Sequence, residues 1–273
     1  MTISIIIANW NTKELIKQCI ESIFDTTPQN EIIYEIIIID NASTDGSAEY
    51  LRSISDHIVL IENKTNIGYA KACNQGMKIA KGRYFLLLGS DTIMKAGTLL
   101  ACADFLEGNP EAGAVSCKLL NPDGSIQNSL KRFPELKNAF YTYLSFGKMN
   151  SEYDMSDFNY DRTCEVEQAA ATFLMIRKDV IEKINYFDDS YRILYNDVDL
   201  CSRIWKSGYK IYFLHTVSII HYGSHSTKNA DFALRKIMYS DIYRYYSRNF
   251  GFKAKFLYPI LAFRLILVST IKA

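Results

Sequence analysis

A chain of 273 residues that is 48% hydrophobic can hold one large domain or two small ones around a buried core, which excludes a disordered protein. The formal net charge of +1 hides an uneven distribution: from Lys228 onward nine Lys and Arg face Asp231 and Asp241, a tail of +7 against −6 for the rest. The six cysteines form no CxxC pair and mostly fall inside apolar patterns, so they read as reduced core thiols of a cytosolic protein rather than a disulfide framework.

The opening "MTISIIIANW" lacks a basic region and runs directly into a strand, so no signal peptide is expected. After "ISIII", Leu15, Ile16, Cys19, Ile20 and Ile23 share one helical face, with Asn11 and Glu14 spaced as a capping box. "YEIIIID" and "HIVLIEN" are the next strands, and "RYFLLLGSD" follows a helix predicted over 70–80. Such runs, apolar on both faces and separated by helices, predict a doubly wound, mostly parallel α/β sheet covered on both sides. "AGAVSCKLL" adds a strand and "NPDGS" a turn, after which 126–165 dissolves into an aromatic, polar segment of the kind that serves as a functional loop region. "VEQAAATFLMIRK" restores a strand and "DVIEKI" a short helix. "YNDVDLCSRIWKSGYKIYF" then sets Asp197 and Asp199 before a helix striped by Leu200, Ile204 and Trp205, and "KIYFLHTVSIIHYG" is the last core strand. The domain is expected to span 1–227, followed by a basic, aromatic, amphipathic helical tail over 228–273. The apolar run 256–271 is broken by Pro259 and Arg264 and is shorter than the roughly 20 residues a spanning helix needs. The tail is suited to rest on an anionic membrane surface, to pack on the domain or to form a homodimer seam. No nucleic-acid module is recognisable.

Ligands of open α/β sheets bind at the carboxyl ends of the strands. Those ends carry Ala8, Asn9 and Asn11, then Asp40 and Asn41, then Asn66 and Gly68, then Ser90 and Asp91. A dinucleotide would need GxGxxG after the first strand; "ANWNTKEL" stands there, which argues against an oxidoreductase. Asp40 either accepts hydrogen bonds from a nucleoside or ends its strand in an ordinary Asx turn. Lys71 and Asn74, in the first turns of a helix that starts after Gly68, suit a phosphate as well as they suit an ordinary helix surface. Asp91, diphosphate oxygens and His221 form a donor set for a hard divalent cation, although an imidazole ending an apolar strand is commonly a core group. His215 and His225 read as structural or surface residues.

Six stretches in order, "SIIIANWNTKELIKQCIESI", "IIIIDNASTDGS", "NIGYAKACNQGMKIAKGRYFLLLGSDT", "AAATFLMIRKDVIEKINYFDDSY", "YNDVDLCSRIWKSGYKIYF" and "IIHYGSHS", resemble glycosyltransferase family 2, in its bacterial rhamnosyltransferase-like branch. The resemblance covers about residues 2–227. It implies a GT-A fold and an inverting transfer of a sugar from a nucleoside diphosphate donor, dTDP- or UDP-linked, to a saccharide or lipid-linked acceptor in cell-surface polysaccharide synthesis. The implied roles are nucleoside binding for Asn9 and Asp40, a Mg or Mn ion for Asp91 and His221, and general base for Asp197; Asp199 would orient the loop or an acceptor hydroxyl. Two positions depart from the family pattern, Gly89 two residues before the metal carboxylate and Asn196 before the base. They keep a non-catalytic GT-A-derived binding or scaffold protein open as an alternative, with a nucleotidyltransferase as a further one. The implied location is the cytoplasm, peripheral to the inner face of the membrane.

Overall fold

In the computed structural model the N-terminal half alternates strand and helix: β1 (Thr2–Asn9), α1 (Lys13–Thr26), β2 (Ile33–Asp40), α2 (Ser47–Ser53), β3 (Val59–Glu62), α3 (Tyr69–Ile79) and β4 (Tyr84–Gly89). β5 (Thr92–Ile93), α4 (Thr98–Gly108) and β6 (Ala112–Leu120) follow. An excursion then holds β7 (Leu130–Lys131), α5 (Leu136–Leu144), α6 (Ser151–Asp154), β8 (Cys164–Glu165) and β9 (Gln168–Ala169). The chain returns through β10 (Phe173–Arg177), α7 (Lys178–Lys183), α8 (Asn196–Lys206) and β11 (Lys210–His221), and ends in α9 (Phe232–Phe250), a 3-10 turn (Gly251–Phe256) and α10 (Leu257–Thr270). The structure describes residues 2–27, 32–144, 150–223 and 232–270. His225 and the expected 227/228 boundary lie outside them.

The main sheet runs β3-β2-β1-β4-β10-β6-β11-β5, with β8 also paired to β11. The pairs β1–β2, β1–β4, β2–β3 and β6–β11 are parallel, whereas β10 is antiparallel to both β4 and β6. This reversal has a physical cause. Among the described residues no crossover takes β6 to β10 through the opposite edge; the chain leaves β6 and enters β10 at the same, carboxyl edge, and in between it passes down the side of β11, where β8 pairs with Tyr212 and Phe213. The two ends of the excursion therefore lie beside the strand ends where ligands bind.

Both faces of the sheet are covered, which explains the unbroken apolar runs. Ile3, Ile5, Ile7, Leu86 and Leu88 face α1 and α4, whose Ile16, Ile20, Leu99 and Leu106 are fully buried there. Ile6, Phe85 and Leu87 face α3, α7 and α8 through Met77, Val180 and Ile204. Each such side chain contributes roughly 1.5–3 kcal/mol by leaving water. A third cluster joins Ile242, Tyr245 and Tyr246 of α9 and Leu257 and Leu261 of α10 to Tyr191 and Val198. The tail helices thus pack on the segment that carries Asp197.

One local expectation fails. Asn11 and Glu14 make no capping box; Thr12 is the N-cap of α1 and forms no side-chain cap bond. Asn11 sits at φ 53° and its side chain accepts the Thr44 N–H at 2.7 Å, while Asp45 accepts the Lys13 N–H at 2.8 Å. A neighbouring loop caps the helix, a tertiary arrangement with no local signature.

Candidate active site

Register places the strand ends side by side: Asn9 pairs with Asp40 across β1–β2, and Ala8 with Gly89 across β1–β4. There a cavity of about 460 Å³ is lined by Ala8, Asn9, Asn41, Asn66, Gly68 and Ser90, six of the predicted donor residues. Its volume lies in the range of small-ligand sites. Gly68 is required: its φ is +88°, Asn66 accepts its N–H at 2.9 Å, and an added Cβ would stand 3.0 Å from the Arg192 carbonyl oxygen. Trp10 and Tyr69 also line the cavity, as do Arg192 and Ile193 from the loop before α8 and Leu234 and Ile237 from α9.

The other predicted donor residues stand apart from this lining. Asp40 is buried, and its carboxylate accepts Asn9 Nδ2 at 2.8 Å, the Ser43 hydroxyl at 2.6 Å and the Ser43 N–H at 3.0 Å. It shapes the loop under Asn9, as the Asx-turn reading anticipates. Asn11 ties that loop to Thr44. Lys71 is exposed on α3. Asn74 spends both ends of its amide on the backbone of Phe187, at 2.9 and 3.0 Å, which joins α3 to the loop after α7 and takes it away from any phosphate.

Asp91 and His221 meet because β5 and β11 pair antiparallel, with Thr92 opposite His221. His221 Nε2 lies 3.4 Å from Asp91 Oδ2, and Nδ1 lies 2.7 Å from Gln127 Oε1. An amide oxygen only accepts, so Nδ1 carries the proton and a neutral ring turns the Nε2 lone pair toward the carboxylate. Two acceptors facing each other need a proton or a cation between them, and a carboxylate oxygen plus an imidazole suits a manganese-like ion better than magnesium, which takes oxygen ligands. Gln127 also donates to the His221 carbonyl at 2.6 Å and to Asn121 at 2.8 Å. It is an orienting residue that the irregular 126–165 segment concealed. Gly89 leaves room for the Asp91 carboxylate, since a Cβ there would come within 2.9 Å of Oδ1. No group of three or more His, Cys, Asp or Glu able to hold a metal occurs among the described residues, so remaining ligands would come from substrate or water.

Asp197 lies in the first turn of α8, whose N-cap Tyr195 is left-handed at φ 64°. Asn196 accepts the Asp197 N–H at 2.7 Å, donates to the Ile193 carbonyl at 3.4 Å, and is buried. An amide can do both, which a glutamate at that position could not. Burial of the Asp197 carboxyl raises its pKa above the ordinary 3.8, opposed by the N–H groups of Val198, Asp197 and Ala171 and by the Lys131 charge. Tyr69, which donates to the Ala171 carbonyl at 3.1 Å, ties the 460 Å³ cavity to this region. Its phenol is held well above its usual range by burial first, then by Cys73 and by the charges of Asp197 and Asp91. Asp199 instead accepts Arg203 Nε at 2.7 Å, and the same guanidinium holds the carbonyls of Ile184 and Tyr186. It orients that loop. A larger hollow, about 840 Å³, is lined by the 151–167 stretch together with Arg132 and Trp205 and contains none of the donor candidates.

Residues 4–184 match the profile described as Glycosyl transferase family 2, and the chain belongs to that family. Rhamnosyltransferase WbbL of Escherichia coli is 23% identical over 235 residues, 82% of this chain and 85% of that protein. The N-acetylglucosaminyl-diphospho-decaprenol L-rhamnosyltransferase of Mycobacterium tuberculosis is 24% identical over 209 residues, 70% of this chain and 67% of its own. Among solved structures, the mannosyltransferase PcManGT of Pyrobaculum calidifontis, in complex with GDP-Man and Mn2+, superposes with a TM-score of 0.59 at 19% identity over 97% of this chain and 69% of that one. The fold is that of the GT-A glycosyltransferases.

Proposed function

We propose that the chain is an inverting glycosyltransferase that moves a sugar, rhamnose or a hexose, from a nucleoside diphosphate to a hydroxyl of a saccharide or lipid-linked acceptor. The observation that carries this reading is the convergence on one sheet edge of the amide-lined cavity, the Asp91–His221 pair and the half-buried Asp197. Asn66 offers its amide to a nucleoside over a floor shaped by Asn9 and Asn41, whose own amides are held by Asp40, Ser43 and Asn63, with the diphosphate directed past Ser90 toward Asp91. Asp197 takes the proton of the acceptor hydroxyl as that oxygen bonds to the anomeric carbon, and the bond from that carbon to the diphosphate breaks on the opposite face. A divalent cation held by Asp91 and His221 would offset the charge that develops on the leaving diphosphate. The raised pKa makes Asp197 a stronger base than an ordinary carboxylate. Acceptor recognition is assigned to 126–165, which supplies Lys131 near Asp197 and most of the larger hollow. The two rhamnosyltransferase relatives, one named for a decaprenol-linked acceptor, support this substrate class.

The tail is assigned to an anionic membrane surface, where lipid-linked acceptors reside. Phe252, Phe256, Tyr258, Phe263 and Ile266 are exposed, as are Lys253 and Lys255, and Lys255 lies over the Phe252 ring. No helix among the described residues is long and apolar enough to cross a membrane.

A thermal-shift screen of dTDP-, UDP- and GDP-sugars with manganese tests the donor, because a ligand that binds only the folded state raises its apparent stability. The expected result is a shift with a dTDP- or UDP-sugar, followed by transfer or donor hydrolysis that Asp197→Asn abolishes. Binding with no hydrolysis or transfer would favour a scaffold protein, and release of pyrophosphate from a nucleoside triphosphate would favour a nucleotidyltransferase.

A further inference from the structure

We propose that Asp241, on the tail helix α9, is a positioning residue for the reaction: its carboxylate holds the loop that forms one wall of the donor cavity and leads into Asp197. This rests on the reading of that cavity as the donor site. Asp241 is 1% exposed, and its Oδ2 accepts three consecutive backbone N–H groups, from Arg192 at 3.1 Å, Ile193 at 2.8 Å and Leu194 at 3.1 Å. Three successive amides converge on one point only where the chain curls around an anion. Here the anion arrives from a helix almost fifty residues away in sequence.

The surroundings fix the carboxylate and the loop together. Arg244, one turn further along α9, faces Asp241 Oδ1 at 3.3 Å and donates to the Ser190 carbonyl. Arg248, a turn beyond, pairs with Asp188 and lies over the Tyr191 ring at 5.5 Å. Tyr195, in its left-handed conformation, packs on Tyr245 and Tyr246 with ring centroids 4.9 and 6.0 Å away. The stretch between α7 and α8 has no helix or strand of its own to satisfy its amides, so α9 supplies the partners.

The loop reaches the chemistry at both ends. Arg192 and Ile193 line the donor cavity, and the Arg192 carbonyl abuts Gly68. Leu234 and Ile237, seven and four residues before Asp241 on one face of α9, line the same cavity. Asp197 follows Leu194 by three residues. A loop released at 192–194 therefore loosens the donor wall and misplaces the base, while Asp241 itself touches neither substrate nor reacting atoms.

The test compares the intact chain with Asp241→Asn, which keeps one acceptor oxygen, and Asp241→Ala, which keeps none. The expected order for hydrogen exchange at amides 192–194 is wild type slowest, Asn intermediate and Ala at least tenfold faster, with the amides of β1 and β4 unchanged. Affinity for UDP or dTDP, read from the fluorescence of Trp10 at the cavity, should fall at least fivefold in Asp241→Ala, and kcat at least tenfold. Both losses should be smaller in Asp241→Asn. A merely structural role would lower the melting temperature without moving nucleotide affinity or the kcat of the folded fraction, and that result would overturn the proposal. If Asp241→Ala does not fold, Asp241→Asn decides by the same readouts. Wild-type exchange at 192–194, or unchanged affinity and kcat, would sink the idea. A wild-type protein that neither binds these nucleotides nor transfers would overturn the donor reading as well, whereas an active wild type with indifferent variants overturns the positioning role alone.

Discussion

At the scale of single residues, the role proposed for Asp197 would join a stability cost to a chemical gain. Its folded pKa lies above the unfolded value, so the stability this group contributes is complete below the ordinary 3.8 and is lost as pH rises through the raised folded value. At neutral pH the ionised carboxylate is therefore a burden on the fold. Asp197→Asn should melt at a higher temperature than the unliganded native protein at pH 7, with the gap closing in acid. Its turnover should fall by about 10² to 10⁴ while nucleotide affinity stays the same. A variant that is less stable at pH 7, or that turns over normally, contradicts the assignment. The same shift predicts that activity rises with pH through an acid limb displaced upward from the ordinary 3.8, a limb that a rate–pH profile would show. Gly89 is the other informative position. As a departure from the family pattern it keeps a non-catalytic reading open; the geometry makes it the space beside Asp91 Oδ1. Gly89→Ala should displace that carboxylate and weaken Mn binding measured by calorimetry, and unchanged affinity would return Gly89 to the status of a neutral substitution.

At the scale of elements, a two-residue strand brings the metal candidates together. β5 is short, but its pairing with β11 sets Asp91 beside His221, and Gln127 from the excursion holds the ring. Asp91→Ala and His221→Ala should each remove manganese-dependent nucleotide binding, while Gln127→Leu, which keeps both ligands but frees the imidazole, should weaken it by about tenfold or more. Binding that persists with chelator in all three variants would shift the work to Lys or Arg side chains. Which parts of this were legible in advance follows from where each signal lives. The strands β1, β2 and β4 and the helices α1, α3 and α8 announce themselves by local periodicity, and Asn9, Asn41, Asn66, Gly68 and Ser90 follow because strand ends in such sheets converge. Gln127 and the antiparallel direction of β10, though not the strand itself, were not legible, because each depends on where a long irregular excursion returns. Asn74 looked like a phosphate ligand from its place in a first turn, yet its partner is 113 residues away. Spacing within one element cannot reveal such a contact.

At the scale of the whole molecule, the tail is where composition says most about surface and least about packing. Its charge excess was plain, but not that Asp241, one of its two acids, would be buried under the loop before α8. Ala254, Leu257 and Leu261 are buried in the cluster that holds Tyr191 and Val198, so truncation after Asn249 would open a core rather than remove an appendage. Membrane association is therefore better tested on the exposed side of the same segment. Phe252 and Phe256 lie with ring centroids 6.2 Å apart, and the Lys255 ammonium is 5.0 Å from the Phe252 ring, so apolar and basic groups share one patch. Each basic residue near an anionic surface contributes on the order of 1 kcal/mol, and two aromatic rings add an apolar foothold that salt does not screen. Lys253→Glu with Lys255→Glu should abolish sedimentation with phosphatidylglycerol-rich vesicles at low salt. Phe252→Ser with Phe256→Ser should keep low-salt binding but lose the fraction that survives high salt. Both double variants should melt like the native chain, since none of the four side chains is buried. Equal sedimentation of all three proteins would defeat the membrane reading, and a native dimer that the Phe variants dissociate would assign the patch to a second copy of the chain instead.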